Sequence, residues 1–191
     1  MEWSDETAVA KARAGDAEAF RVLVERHSRP LFRLAFRMTG NEQDAEDVVQ
    51  DSLLRAYRQL KNFDERATFR TWIYRITVNC SIDLVRSRKR RLENLGAADP
   101  DLDDPIQSLP ATAPTPDRLA MSTEARGRIE MAMQKLSVSE RTAFVLRHFE
   151  GMCIDDVSLV LGCEPGAAKH SVFRAVRKLR RALEPLVSTA K

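Results

Sequence analysis

The sequence predicts an all-α protein: two small helical domains joined by a flexible acidic linker, the second containing a helix-turn-helix. Three observations lead there. Ala, Leu, Arg and Glu are plentiful while only seven glycines and few aromatics occur, which favours helices. Apolar residues recur at three- and four-residue steps on both sides of a Pro- and Asp-rich interval. The net charge of +3 also divides unevenly: residues 1–91 carry 18 basic and 14 acidic side chains, 92–123 carry one and six, and 124–191 carry twelve and eight. Two basic lobes therefore flank an acidic strap. The expected domains are 1–91 and 116–191, with a proline-containing linker over 92–115.

Asp16 is placed to cap a helix after Gly15, and Phe20, Leu23, Val24, His27, Leu31, Leu34, Ala35 and Met38 repeat on one helical face. Pro30 is expected to interrupt or bend this run, because it lacks an amide donor and crowds the preceding turn. His27 reads as structural, having no acid, thiol or second histidine near it in sequence. Gly40 and Asn41 end one helix and start the next, with Asp44 in a first turn that favours an acid. Ala45, Val48, Val49, Ser52, Ala56, Tyr57 and Leu60 outline an inward face there. Glu46, Asp47, Gln50 and Asp51 form an outward polar ridge, which is either a solvated surface or a partner's landing site.

Thr68 caps the following helix, and Phe69, Trp72, Ile73, Ile76 and Cys80 face a core. Arg75, Asn79, Asp83, Arg86 and Arg90 follow at helical steps as a neighbouring polar track. Arg86, Arg88, Lys89, Arg90 and Arg91 concentrate positive charge near the helix end. That concentration suits a phosphate surface, although favourable interaction with the helix C-terminus competes as an explanation. In the loop from Asn62 to Ala67, an amide and an aromatic, Asn62 and Phe63, suit bases of a separated strand, as does Asn79. Trp72 reads better as core.

Residues 92–115 hold four prolines and five acids, which oppose a continuous helix. The strap serves either to solubilise the chain or to occupy a positive channel on a partner. Beyond Pro116, Leu119, Ala125, Ile129, Ala132, Met133 and Leu136 bury an irregular stripe. Ser137 and Glu140 form a capping-box pattern for a helix running to about Phe149, ended by Gly151. A short helix from Asp155 to Leu161, the Gly162 reversal and a longer basic helix starting at Pro165 fit a helix-turn-helix. Val157, Leu161, Val172, Val176 and Leu179 pack the pair. Lys169, His170, Phe173, Arg174, Arg177, Lys178, Arg180 and Arg181 are left for exposed or boundary faces. An ordinary helical hairpin with a charged solvent face is the competing reading.

Several classes lose support. No opening run resembles a signal peptide and no segment approaches the roughly 20 apolar residues that span a bilayer, so a cytoplasmic protein is expected. Cys80, Cys153 and Cys163 lack CxxC spacing and read as buried or partly buried thiols, not as metal ligands. The acids crowded on one helix do not provide convergent metal ligands, and neither a nucleophile-base grouping nor a phosphate-cradling glycine loop is present. No enzyme, cofactor or metal is expected.

DAEDVVQDSLLRAYRQL at Asp44–Leu60, followed by FRTWIYRITVNCSIDLVRSRKRR at Phe69–Arg91, resembles the RNA polymerase sigma factors of the extracytoplasmic function group of the sigma-70 family. The resemblance covers most of the chain. It implies a dissociable subunit that binds core RNA polymerase, directs it to promoter DNA and assists strand opening, with sigma domain two first and sigma domain four second. It also implies core-polymerase contacts at Asp47, Gln50 and Asp51. Contacts near the minus-ten element are implied at Asn62, Phe63, Arg75, Asn79, Arg86, Lys89 and Arg90. Contacts near minus thirty-five are implied at Lys169, His170, Phe173, Arg174, Arg177 and Lys178. An anti-sigma partner, a link to stress response and no direct membrane insertion follow from the same resemblance. Three positions depart from the family pattern: Glu164 stands for a small hydroxyl residue, Ala167 for threonine and Ser171 for arginine, which puts the usual upstream preference in doubt. The alternative function is an independent helix-turn-helix regulator, which leaves the acidic ridge and aromatic-basic succession of the first lobe without a combined role.

Overall fold

A computed structural model describes residues 3–64, 66–94 and 123–188. Among them lie eight α-helices and no strand: α1 Asp5–Arg13, α2 Ala17–Thr39, α3 Glu42–Gln59, α4 Phe69–Asn94, α5 Thr123–Gln134, α6 Val138–Phe144, α7 Ile154–Leu161 and α8 Pro165–Ser188. The chain divides into two compact units, Met1–Leu84 and Val85–Lys191, so the division falls within α4. The expected linker at 92–115 lies almost entirely outside the described residues, as do Leu119 and the start of the second domain.

In the first unit, α2 packs on both α1 and α3. Local chemistry sets each helix start. Asp16 Oδ1 accepts from the amides of Glu18 and Ala19 at 3.0 and 3.2 Å, and Asn41 Oδ1 accepts from the Asp44 amide at 2.9 Å. Gly40 ends α2 with φ 73°, a left-handed conformation that glycine adopts without penalty. Thr68 Oγ1 accepts from the Thr71 amide at 3.1 Å as α4 begins. Of the two effects expected of Pro30, interruption does not occur: α2 runs through it from Ala17 to Thr39. Leu23 and His27 before it and Leu31, Leu34 and Met38 after it are all buried, and that shared apolar face outweighs one missing backbone hydrogen bond.

His27 is buried, and its Nε2 lies 2.9 Å from Asp5 Oδ2. Arg26 donates to the other oxygen of the same carboxylate and to the Trp3 carbonyl, the latter at 2.6 Å. Asp5 thus ties α1 to α2 through a contact spanning 22 residues. Burial pushes the His27 ring below its ordinary 6.5, and the Asp5 carboxylate opposes that push without cancelling it.

In the second unit α5, α6 and α7 all pack on α8. The capping box is formed: the Glu140 amide donates to Ser137 Oγ at 3.3 Å, and the Ser137 amide donates to Glu140 Oε2 at 3.0 Å. The helix expected to reach Phe149 instead changes to a π-type turn over Val145–Phe149, after which Gly151 has φ 67°. Ala132, Leu136, Ala175 and Leu179 form a core with Met133, Phe144 and Leu183 against it. Ala168 and Ala175 are fully buried, so small side chains on α8, not only Val172 and Val176, let its neighbours approach.

Candidate nucleic-acid interface

Three surfaces follow from these helices. On α3, Ala45, Val48, Val49, Ser52 and Ala56 turn inward, leaving Glu46, Asp47 and Gln50 exposed. Asp51 is half-buried and accepts from Arg55 at 2.8 Å, while Arg55 also approaches Asp83 of α4 at 3.8 Å. The acidic ridge is therefore keyed to the polar track on α4. Tyr57 departs from its expected inward position: it is 56 % exposed, with its ring edge-on to Phe20 at 4.9 Å. Leu54 was not singled out from sequence, yet it is 47 % exposed beside Gln50 and Asp51. The adjacent Leu53–Leu54 pair contained that signal, because a helix cannot bury both neighbours on one narrow face.

The second surface is the outward track of α4. Arg75, Asn79, Asp83, Arg86 and Arg90 are all exposed along it. The side chain of Lys89 lies outside the described ones. The preceding segment makes a 3-10 turn at Leu60–Asn62, leaving Asn62 exposed. Arg66 then braces the loop by donating from its amide to Asp64 Oδ1 at 3.3 Å and from Nε to Asp64 Oδ2 at 2.8 Å. Phe63 is turned inward. Only 5 % exposed, it packs 4.8 Å from Trp72 and 6.1 Å from Phe69, and Phe69 in turn lies 5.3 Å from His27. This ring arrangement fixes the loop against the start of α4 and holds Phe63 away from the outer face, where its sequence position had suggested base stacking.

The third surface belongs to α7, the Gly162 reversal and α8. Gly162 has φ 64°, and the Glu164 carbonyl accepts from the Ala168 amide at 3.1 Å as α8 begins. Lys169, His170, Phe173, Arg174 and Arg177 are exposed along α8, with Phe173 63 % exposed. Lys178 is engaged within the fold: its Nζ lies 2.7 Å from Glu140 Oε2. Ser171 faces inward and is 8 % exposed. Cys153 supplies an unanticipated cap for α7, with the Asp156 amide donating to its Sγ at 3.4 Å. Cys153 and Cys163 are exposed, unlike the expected buried or partly buried thiols, whereas Cys80 is buried. Both exposed cysteines flank the short α7 at its two ends, where no core covers them.

Among the described residues the chain thus carries an acidic ridge on α3, a basic track along α4 and a helix-turn-helix made by α7, the Gly162 reversal and α8. Residues 23–91 match the sigma-70 region 2 model and residues 126–179 match the sigma-70 region 4 model. The RNA polymerase sigma-H factor of Pseudomonas aeruginosa is 31 % identical over 188 residues, covering 97 % of each chain. The RNA polymerase sigma factor NccH of Alcaligenes xylosoxydans xylosoxydans is 33 % identical over 180 residues, 94 % of this chain and 95 % of that one. Among solved structures, CnrH in complex with the cytosolic domain of CnrY aligns with a TM-score of 0.69 and 29 % identity, over 95 % of this chain and 97 % of that one. The chain belongs to the sigma-70 family of RNA polymerase sigma factors, in its extracytoplasmic function group. It is a sigma subunit that directs RNA polymerase to promoters, a regulatory role. No described helix is long and apolar enough to cross a membrane.

Proposed function

We propose that the work of initiation is divided between domains 1–91 and 116–191. The first grips core polymerase and holds the opened strand near minus ten, while the second anchors upstream duplex near minus thirty-five. The observation that carries this division is the separation of two exposed cationic tracks, Arg75–Arg86–Arg90 on α4 and Lys169–Arg174–Arg177 on α8, onto helices matched by different family models, residues 23–91 and 126–179. Asp47, Gln50 and Asp51 meet the polymerase, with half-exposed Leu54 adding an apolar contact among them. An acidic rim around a small apolar centre gives register and exclusion of wrong partners along with affinity.

On α4, Arg86, Lys89 and Arg90 hold phosphates, whereas Asn62, Arg75 and Asn79 approach unpaired bases. Phosphate contacts fix register without reading sequence; the Asn79 amide both donates and accepts, so it can discriminate a base. Phe63 supports this surface from behind by fixing the loop. On α8, Lys169, His170, Phe173 and Arg174 face the major groove and Arg177 holds phosphate, while Lys178 acts through the fold. Nucleotide addition belongs to the polymerase, in the cytoplasm. Linking the two modules in one chain raises the effective concentration of the second once the first is bound.

An anti-sigma protein is the expected regulator. CnrH, the structural relative at 29 % identity, is found with the cytosolic domain of CnrY. The division is tested by footprinting holoenzyme on a promoter. Asn79→Ala is expected to change opening or base preference with upstream protection retained, and Arg174→Ala to lose upstream protection. Equal loss of all DNA affinity in Asn79→Ala, with base preference and opening unchanged, would refute its role; normal upstream protection in Arg174→Ala would refute the other.

A further inference from the structure

The first helix has no part in the surfaces described above. The sigma-70 region 2 match begins at residue 23, so α1, Asp5–Arg13, lies outside it. Of its side chains, Ala8 and Val9 are buried. With so small an apolar anchor, the seat of α1 is set largely by its polar contacts.

Those contacts converge on one place. At the C-terminal end of α1, Arg13 Nη2 donates to the Lys61 carbonyl at 3.5 Å, and α1 packs against the 3-10 turn Leu60–Asn62 that carries this carbonyl. At the N-terminal end, Asp5 Oδ2 accepts from His27 Nε2 at 2.9 Å, since an ionised carboxylate can only accept. The His27 ring lies 5.3 Å from Phe69, whose ring is 6.1 Å from Phe63. Phe63 directly follows the turn, and its amide donates to the Leu60 carbonyl at 3.2 Å. Buried rings in such contact shift together, because close packing leaves no slack between them. Asn62 therefore stands between Lys61 and Phe63, each tied to an opposite end of α1.

We propose that Arg13, Asp5 and His27 are positioning residues for strand opening: α1 braces the turn on both flanks of Asn62 and so sets where that amide meets an unpaired base. This role depends on Asn62 approaching the opened strand, as proposed above. None of the three contacts DNA. A hydrogen bond weakens steeply once its distance and angle depart from the preferred range, so a loosened brace impairs opening without impairing attachment.

The test uses holoenzyme on promoter DNA, with permanganate reactivity of unpaired thymines timing the opening and Asn62→Ala as the reference variant. Arg13 is exposed, so Arg13→Met is expected to leave the melting midpoint and upstream protection unchanged. It is expected to slow opening about fivefold, the scale of one net hydrogen bond. Arg13→Lys, which keeps a charged donor, should restore most of the rate. Asp5→Ala should also slow opening, and Asp5→Asn, which keeps an acceptor for His27, should spare it. Trp72 packs 4.8 Å from Phe63 and is the sole tryptophan once Trp3 is replaced by Phe, so in that background Asp5→Ala should shift its emission to longer wavelength. Wild-type opening rates in both Arg13→Met and Asp5→Ala, with Asn62→Ala slowed, overturn the brace and leave the role of Asn62 standing. Slow opening in Arg13→Met together with a lowered melting midpoint or lost upstream protection overturns it as well, because the defect is then general. Normal opening in Asn62→Ala instead refutes the reading of the turn itself, and the positioning role falls with it.

Discussion

Lys178 Nζ sits 2.7 Å from Glu140 Oε2, joining α8 to the first turn of α6 across 38 residues of sequence. The same carboxylate completes the capping box with Ser137. Burial raises the Glu140 pKa, but the hydrogen bonds from Lys178 and the Ser137 amide, with the Lys178 charge, more than offset it and hold the group below its ordinary 4.5. A basic side chain of α8 is in this way committed to fixing that helix on its scaffold.

Glu140→Ala should therefore destabilise the second unit by about 1–2 kcal/mol, the usual scale for a lost cap. Lys178→Met should lower stability with little effect on duplex affinity, and Arg177→Met should do the reverse; denaturant midpoints and binding isotherms separate the two. The depressed carboxyl contributes stability above pH 4.5 that is lost as pH falls through its lower folded value. The acid limb of unfolding should flatten in Glu140→Gln.

The first unit has a different pH dependence. His27 has a lowered folded pKa, so the unfolded chain binds the proton more readily, and stability present above pH 6.5 declines as pH falls through the folded value. Thermal unfolding of wild type should weaken between neutral and mildly acidic pH, and His27→Gln should remove most of that slope. A slope unchanged by the substitution would assign the effect to another group.

Phe63→Ala should cost about 3–5 kcal/mol of stability in the first unit, because a buried ring leaves a cavity against Phe69 and Trp72. Asn62→Ala, at an exposed position, should leave stability nearly unchanged and alter promoter opening. Melting curves and opening assays on the two variants distinguish support from contact.

Much of this was legible in the chain, for identifiable reasons. Asp16, Asn41, Thr68 and the Ser137–Glu140 pair declare helix starts through side-chain capping that depends on near neighbours, and Gly40 and Gly162 declare ends through φ. Outward polar positions such as Arg75, Asn79 and Arg86 follow from helical period once the apolar face is known. Long-range partners were not legible. Nothing local links Asp5 to His27 or Glu140 to Lys178, and the continuity of α2 through Pro30 depends on tertiary burial. Phe63 was misplaced outward because loop position suggests exposure, whereas the Phe69 and Trp72 rings pack against it.

Arg86 and Arg90 should behave as phosphate contacts. Each substitution by glutamine is expected to weaken DNA binding uniformly across promoter sequences and to reduce the slope of log affinity against log salt by about 1. A change in base preference with an unaltered salt slope would move that residue from positioning to readout.

The most direct measurement is transcription by core polymerase from a randomised promoter library, with and without this protein, with transcript starts read by sequencing. Starts preceded by a shared pair of elements near minus ten and minus thirty-five, appearing only when the protein is added, are the predicted result. A start profile identical to that of core polymerase alone would contradict it.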